Sequence, residues 1–231
     1  MNHVEKDNPL PDAPAKPAST KDRILDAAER LFAEKGFAQT SLRDITTEAE
    51  VNLAAVNYHF QSKEHLIGAV FERRIGPLNE QRLAMLDRLE ERAAGGPVAV
   101  EDILRAVIEP VLRMVSTPEG ACAANLIGRA HTEPGDVFAY LFTGQFAPVI
   151  KRVLAAARRS LPELDEVDLL WRMLFSIGAM SHTIAGQRHI KVVSGGRCDT
   201  SDVEGMLDRL ITFVAAGCRA PAFSKAKGDR G

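Results

Sequence analysis

Leu53, Ala54, Asn57, Tyr58 and His59 fall within two turns at helical spacing, and no acid interrupts the run from Leu53 to Lys63. Such a set suits recognition of a polyanion with readable edges. An asparagine amide can pair with adenine, small side chains let a helix approach base edges and methyls, and a phenol can donate to phosphate. Ser62 is placed to cap a helix that opens at Lys63. Unpaired N–H groups at a helix start, together with a lysine's mobile charge, suit a phosphate. Upstream, Thr40 and Ser41 offer two hydroxyls, and Asp44 follows Ser41 at the spacing of a capping box.

Positioning these groups requires three elements. Leu42, Ile45 and Ala49 recur at helical spacing, so a short helix is predicted over 42–49, with a tight turn at Glu50 and Val51. Asn52 is the next N-cap candidate, and Val56 and Phe60, four apart, turn to the interior while the face of Leu53, Ala54, Asn57, Tyr58 and His59 stays free. Beneath them a helix is predicted over 20–35, with Ile24, Leu25, Ala28, Leu31 and Phe32 as its apolar stripe, Gly36 as a left-handed stop and Phe37 turned inward.

The segment from Ile24 to Phe71, with AERLFAEKGFAQTSLRDI and VNLAAVNYHFQSKEHL, closely resembles the DNA-binding domain of the TetR family of one-component transcriptional regulators. The resemblance implies that Thr40, Ser41, Tyr58 and Lys63 hold phosphates while Leu53, Ala54, Asn57 and His59 face bases, with Asn52 counted in the same DNA-binding set. The family often opens this reading helix with Ser or Thr followed by Lys or Gly; here Asn52, Leu53, Ala54 and Ala55 stand instead. VNLAAVNYHF as a unit looks most like the fatty-acid-responsive subgroup typified by PsrA. The resemblance further implies a dimer, an inverted-repeat operator in double-stranded DNA, and repression relieved by a small-molecule effector.

With 231 residues, 45% of them hydrophobic, the chain can bury a substantial core. Its formal net charge is −2, and between Thr20 and Ile75 eight Lys plus Arg meet nine Asp plus Glu. Affinity for DNA must therefore come from a specific, symmetric site and from N–H and hydroxyl contacts, not from bulk charge. No H-E-x-x-H, nucleophile elbow, phosphate-cradling glycine loop or dinucleotide fingerprint occurs, which argues against an enzyme and against any metal or cofactor. Cys122, Cys198 and Cys218 form no C-x-x-C pair. No apolar run is long enough to span a bilayer, and the N-terminus lacks a signal peptide's apolar core, so a cytoplasmic location without membrane contact is expected.

The pattern predicts an all-α fold of about nine helices: a proline-rich arm over 1–18, a helix-turn-helix domain over 19–65, an effector-binding and dimerisation domain over 66–219, and a loose tail over 220–231. Gly76-Pro77 is a candidate hinge. Pro110 and Pro148 each remove a backbone N–H and bend their helices, opening space for a largely apolar effector such as a fatty acid or acyl-CoA. Val107, Val111, Met114, Leu126, Phe142, Phe146, Trp171 and Phe175 are the candidate lining, with Asn125 and Arg129 as polar contacts; Arg129 could equally pair with Glu133. For pairing of two copies the last two helices supply Leu174, Ile177, Ser181 and Ala185 on one and Met206, Leu210, Phe213 and Val214 on the other. The alternative reading is a helical effector- or partner-binding module that does not bind DNA.

Overall fold

A computed structural model describes residues 19–117, 120–133 and 140–223. Among the described residues there are nine α-helices and one π-helical segment, with no strand. The helices are α1 (Thr20–Lys35), α2 (Leu42–Glu48), α3 (Leu53–Phe60), α4 (Lys63–Arg92), α5 (Val100–Val115), α6 (Ala121–Thr132), α7 (Ala147–Ser160), α8 (Glu166–Val193) and α9 (Val203–Cys218), with the π segment at Phe142–Phe146. No helix among them is long and apolar enough to cross a membrane.

Local chemistry sets most of the starts. Ser19, Ser41, Asn52, Ser62, Asp165 and Asp202 each accept a backbone N–H of the first turn through the side chain. Each such cap is worth about 1 kcal/mol, and it fixes where the helix begins. The first three helices and the start of α4 close around Phe32, Ile45, Val56, Leu66 and Phe71. Phe37 lies between Phe32 and Phe71, with ring centroids 5.4 and 6.0 Å away, so the residue after the α1 stop plugs the centre of this unit.

α4 runs unbroken through Gly76-Pro77, the candidate hinge. One lost N–H in a helix of 30 residues is offset by packing on both sides and by ion pairs just upstream: buried Glu29 of α1 takes Arg73 at 2.5 Å and Arg74 at 2.6 Å. Beyond Pro77, α4 lies along α5 and α7, and α9 lies along α5 and α8. The main core is continuous from Ile24 to Cys218, and a smaller one around Leu86, Ile103 and Ala156 joins α4, α5 and α7. α8 continues through Gly186 to Val193, since a single glycine does not outweigh the flanking helical turns.

Candidate nucleic-acid interface and the cavity behind it

The α3 helix is held from three directions. Asn52 accepts the Ala55 N–H at 2.9 Å, and Gln61 ends the helix in a positive-φ conformation with its N–H on the Asn57 carbonyl. Arg23 of α1 donates to the carbonyls of Ala49 and Glu50 at 2.5 and 2.7 Å, clamping the turn that feeds α3. Ser41 and Asp44 form the reciprocal capping box at the start of α2, with the Ser41 N–H on the Asp44 carboxylate at 2.8 Å. These hydrogen bonds hold the Asp44 carboxyl below its ordinary pKa.

Val56 is 1% exposed, whereas Tyr58 is 84% exposed. Leu53, Ala54 and Asn57 are exposed with Tyr58, and half-buried His59 meets the Tyr58 ring edge-on at 5.1 Å. At the next corner, Ser62 accepts the His65 N–H at 3.2 Å, half-buried Lys63 opens α4, and Glu64 follows. The Glu64 carboxyl is held low, first by its own backbone N–H and then by the Ser62 hydroxyl. An acid therefore already occupies part of the helix start that would attract a phosphate.

Thr40 departs from its expected role. Its side chain is buried and its hydroxyl is in reach of the Gly36 carbonyl at 2.7 Å and of Leu31 at 3.2 Å, so it staples the end of α1 and leaves only Ser41 of the pair on the surface. The exposed guanidinium of Arg43 on α2 has no ion-pair partner among the described residues and was not singled out by the sequence. Nothing in its spacing distinguishes it from a solvated charge.

Arg129 also has a different task. Its Nε donates to the Ala33 carbonyl at 2.9 Å and its Nη2 to the Glu34 carbonyl at 2.6 Å, while Nη1 pairs with Glu133 at 3.0 Å. It joins α6 to the last turn of α1 rather than facing a cavity. Asn125 is exposed on the same helix, and Leu126 and Val111 are core residues, with Met114 packed partly against them.

An apolar cavity of about 110 Å³ lies between α5, α7 and α8, walled by residues that include Leu104, Val107, Val149, Val153, Ile177 and Met180. Of the expected lining residues whose side chains are described, only Val107 reaches it. Phe146 is half-buried at the start of α7, and the side chain of Phe142 lies outside the described part of the structure. Ile177, expected between subunits, faces this cavity instead. Arg172 and Cys218 stand at one end. The Arg172 guanidinium is spent on the carbonyls of Gly217, Cys218, Ala220 and Pro221, closing the end of α9, and burial pushes the Cys218 thiol up.

Trp171 and Phe175, expected inside, are 54% and 64% exposed. Helical periodicity explains the reversal: with Val167, Leu170 and Leu174 they form the face of α8 opposite Arg172, Met173, Ser176, Ile177 and Met180. Their rings stack with centroids 5.7 Å apart. Ala185 continues toward solvent, Ser181 is half-buried, and Phe213 on α9 is 73% exposed. Leu210 and Val214 are buried, and Met206 packs partly against the same core. These two α9 positions serve the interior of one subunit because α9 lies between α5 and α8.

A short helix clamped at both ends, with one face buried and the other presented to solvent after a tight turn, defines a helix-turn-helix protein with further helices packed behind it. Residues 24–70 match the bacterial regulatory proteins of the tetR family, and residues 105–217 match the tetracyclin repressor-like C-terminal domain. The chain belongs to the TetR family of transcriptional regulators. It is 38% identical over 60 residues to the HTH-type transcriptional repressor KstR2 of Mycolicibacterium smegmatis, covering 26% of this chain and 29% of that one. The chain spans less than half the length of the curated relatives it matches.

Two solved structures share the fold. The fatty acid degradation regulator FadR from Bacillus halodurans superposes with a TM-score of 0.60 at 15% identity, over 88% of this chain and 98% of that one. A transcriptional regulator FadR from Bacillus subtilis in complex with stearoyl-CoA gives 0.54 at 15% identity, over 84% and 97%. At these identities the likeness is one of fold.

Proposed function

We propose that the protein is a dimeric transcriptional repressor in the cytoplasm that binds an inverted-repeat operator in double-stranded DNA and is released by a small, largely apolar effector. The observation that carries this is the acid-free outer face of α3, with Leu53, Ala54, Asn57 and Tyr58 exposed while Val56 and Phe60 anchor it. In this reading Asn57 and His59, with Leu53 and Ala54, address bases. Ser41, Tyr58, Lys63 and the backbone N–H groups at the starts of α2 and α4 address phosphates.

One reading helix covers too little DNA for tight specific binding, and two must sit about 34 to 36 Å apart to read successive half-sites. The exposed apolar stripe of α8 with Phe213 supplies the pairing surface, so Trp171 and Phe175 move in this proposal from the effector list to the interface, beside Leu174. The cavity between α5, α7 and α8 is the effector site. The PsrA-like opening of α3 and the family likeness favour a fatty acid or related chain as its occupant. An effector there acts on the spacing of the two α3 helices through α6, which Arg129 ties to the end of α1. A differential affinity of about 1 to 3 kcal/mol between the two arrangements suffices for substantial release.

The test is selection from a randomised duplex library with the purified full chain, followed by challenge of the bound complex with fatty acids. An inverted repeat that is released supports both parts. An inverted repeat that stays bound removes the effector assignment, and no enrichment removes the DNA-binding reading.

A further inference from the structure

Among the described residues, Arg82 is a cation taken out of water with no anion to meet it. It is 5% exposed in the middle of α4. Its Nε donates to the Val107 carbonyl and its Nη1 to Oδ1 of Asn79, both at 2.9 Å. Asn79, also buried, uses its amide to hold the Gln145 carbonyl at 2.7 Å. Elsewhere on these helices arginines have carboxylates: Arg73 and Arg74 share Glu29, and Arg152 takes Asp87 and Glu90. No Asp or Glu pairs with Arg82 among the described residues. Burial pushes its pKa down to about 10, which leaves it charged at neutral pH.

Two neutral partners take two of the five N–H donors of the guanidinium and none of its charge, and a buried charge without a counter-ion is costly. Arg82 and Asn79 do not themselves line the apolar cavity, and Val107 is their link to it. Val107 joins the charge to the apolar cavity, since its carbonyl takes the Arg82 proton and its side chain forms part of the wall. Gln145 belongs to the π-helical segment, a backbone irregularity of the kind that recurs at functional sites. Pro110, three residues past Val107, has no N–H to answer the Ala106 carbonyl, so α5 is locally weakened beside the same spot.

We propose that Arg82, with Asn79 beside it, seats the carboxylate of a linear amphiphile whose apolar chain passes Val107 into the cavity, so that the effector is a free carboxylic acid and not its alcohol, amine or thioester. This rests on reading that cavity as the effector site. A guanidinium offers a carboxylate a fork of parallel donors, and the Asn79 amide supplies another once it exchanges the Gln145 carbonyl. A thioester brings no charge to the site.

The experiment is isothermal titration of the full chain, without DNA, with decanoate, decanol, decylamine and decanoyl-CoA. Decanoate is expected to bind about tenfold or more tightly than decanol, with the amine and the thioester weaker still. Arg82→Met should level acid and alcohol. Asn79→Asp gives Arg82 an internal counter-ion and should abolish the acid's advantage while raising thermal stability, which keeps the test decisive if Arg82→Met does not fold. Equal binding of acid and alcohol, binding of neither, tighter binding of the thioester, or an acid preference that survives Asn79→Asp overturns the proposal. Decanoate that binds as expected but leaves the operator complex intact would sink the effector reading and not this site; an operator bound by protein that ignores decanoate would do the reverse.

Discussion

The Glu133 carboxylate, at the end of α6, accepts the backbone N–H of Phe37 at 2.8 Å and that of Ala38 at 3.3 Å. With Arg129 on the carbonyls of Ala33 and Glu34, one i,i+4 pair of the rear domain grips both sides of the α1 stop. Gly36 sits inside this grip with φ 92°, and a Cβ there would come within 2.2 Å of Glu133 Oε1. Thr40 holds the same turn from the other side, one residue before the α2 capping box. A few hydrogen bonds thus join α6 to the reading unit.

Loosening this grip should uncouple effector from operator. Glu133→Gln and Gly36→Ala are both expected to leave operator affinity within a few-fold of wild type and to reduce effector-induced release. Gly36→Ala should in addition lower stability by about 1 to 2 kcal/mol through its left-handed backbone. Release measured by fluorescence anisotropy at saturating effector checks this. Unaltered release in both variants would exclude the grip as the coupling route.

On the DNA face the contacts divide by type. Tyr58→Phe and Lys63→Ala should weaken binding to every sequence alike, whereas Asn57→Ala should cost about 1 to 3 kcal/mol on the preferred operator and relax selection at one base pair. Repeating the library selection with each variant separates the two classes.

Glu64 offers a gain-of-affinity test. Its carboxylate competes for the N–H groups at the start of α4, so Glu64→Gln is expected to tighten nonspecific DNA binding by roughly two- to fivefold, the equivalent of about 0.3 to 1 kcal/mol at a helix terminus. Weaker binding in the variant would mean that Glu64 orders the corner and does not obstruct it.

Acid should weaken the reading unit with a defined sign. The hydroxyl and N–H of Ser41 hold the Asp44 carboxyl below its ordinary range. A folded pKa below the unfolded value of about 3.9 gives a contribution that is complete above that pH and is lost as pH falls through the lower folded value. Asp44→Asn is thus expected to destabilise the protein at neutral pH and to flatten the stability profile below about pH 4, followed by urea unfolding across pH.

Pairing of two copies should depend on the outer face of α8 and α9. Leu174→Glu or Phe213→Asp is expected to give a folded monomer by sedimentation and to cost operator affinity about a hundredfold, because the second half-site then binds independently. Leu210→Ala, by contrast, should lower stability of the single subunit by about 2 to 5 kcal/mol.

Much of the frame was legible because its signals are local. Ser41 with Asp44, Asn52 and Ser62 cap through atoms within three residues, so the helix starts that frame α3 could be read along the chain. Val56 and Phe60 inside with Tyr58 outside follow from the helical period alone. The roles of Thr40, Arg129, Trp171 and Arg82 could not be read in the same way. Each is decided by what another helix brings to it: the closing turn of α1, the carbonyls of Ala33 and Glu34, the lack among the described residues of a covering helix over one side of α8, and the approach of α5 to α4 at Val107. Periodicity states which residues share a face. Only packing states whether that face meets its own core, a cavity, a second subunit or water, because that depends on contacts between residues far apart in the chain.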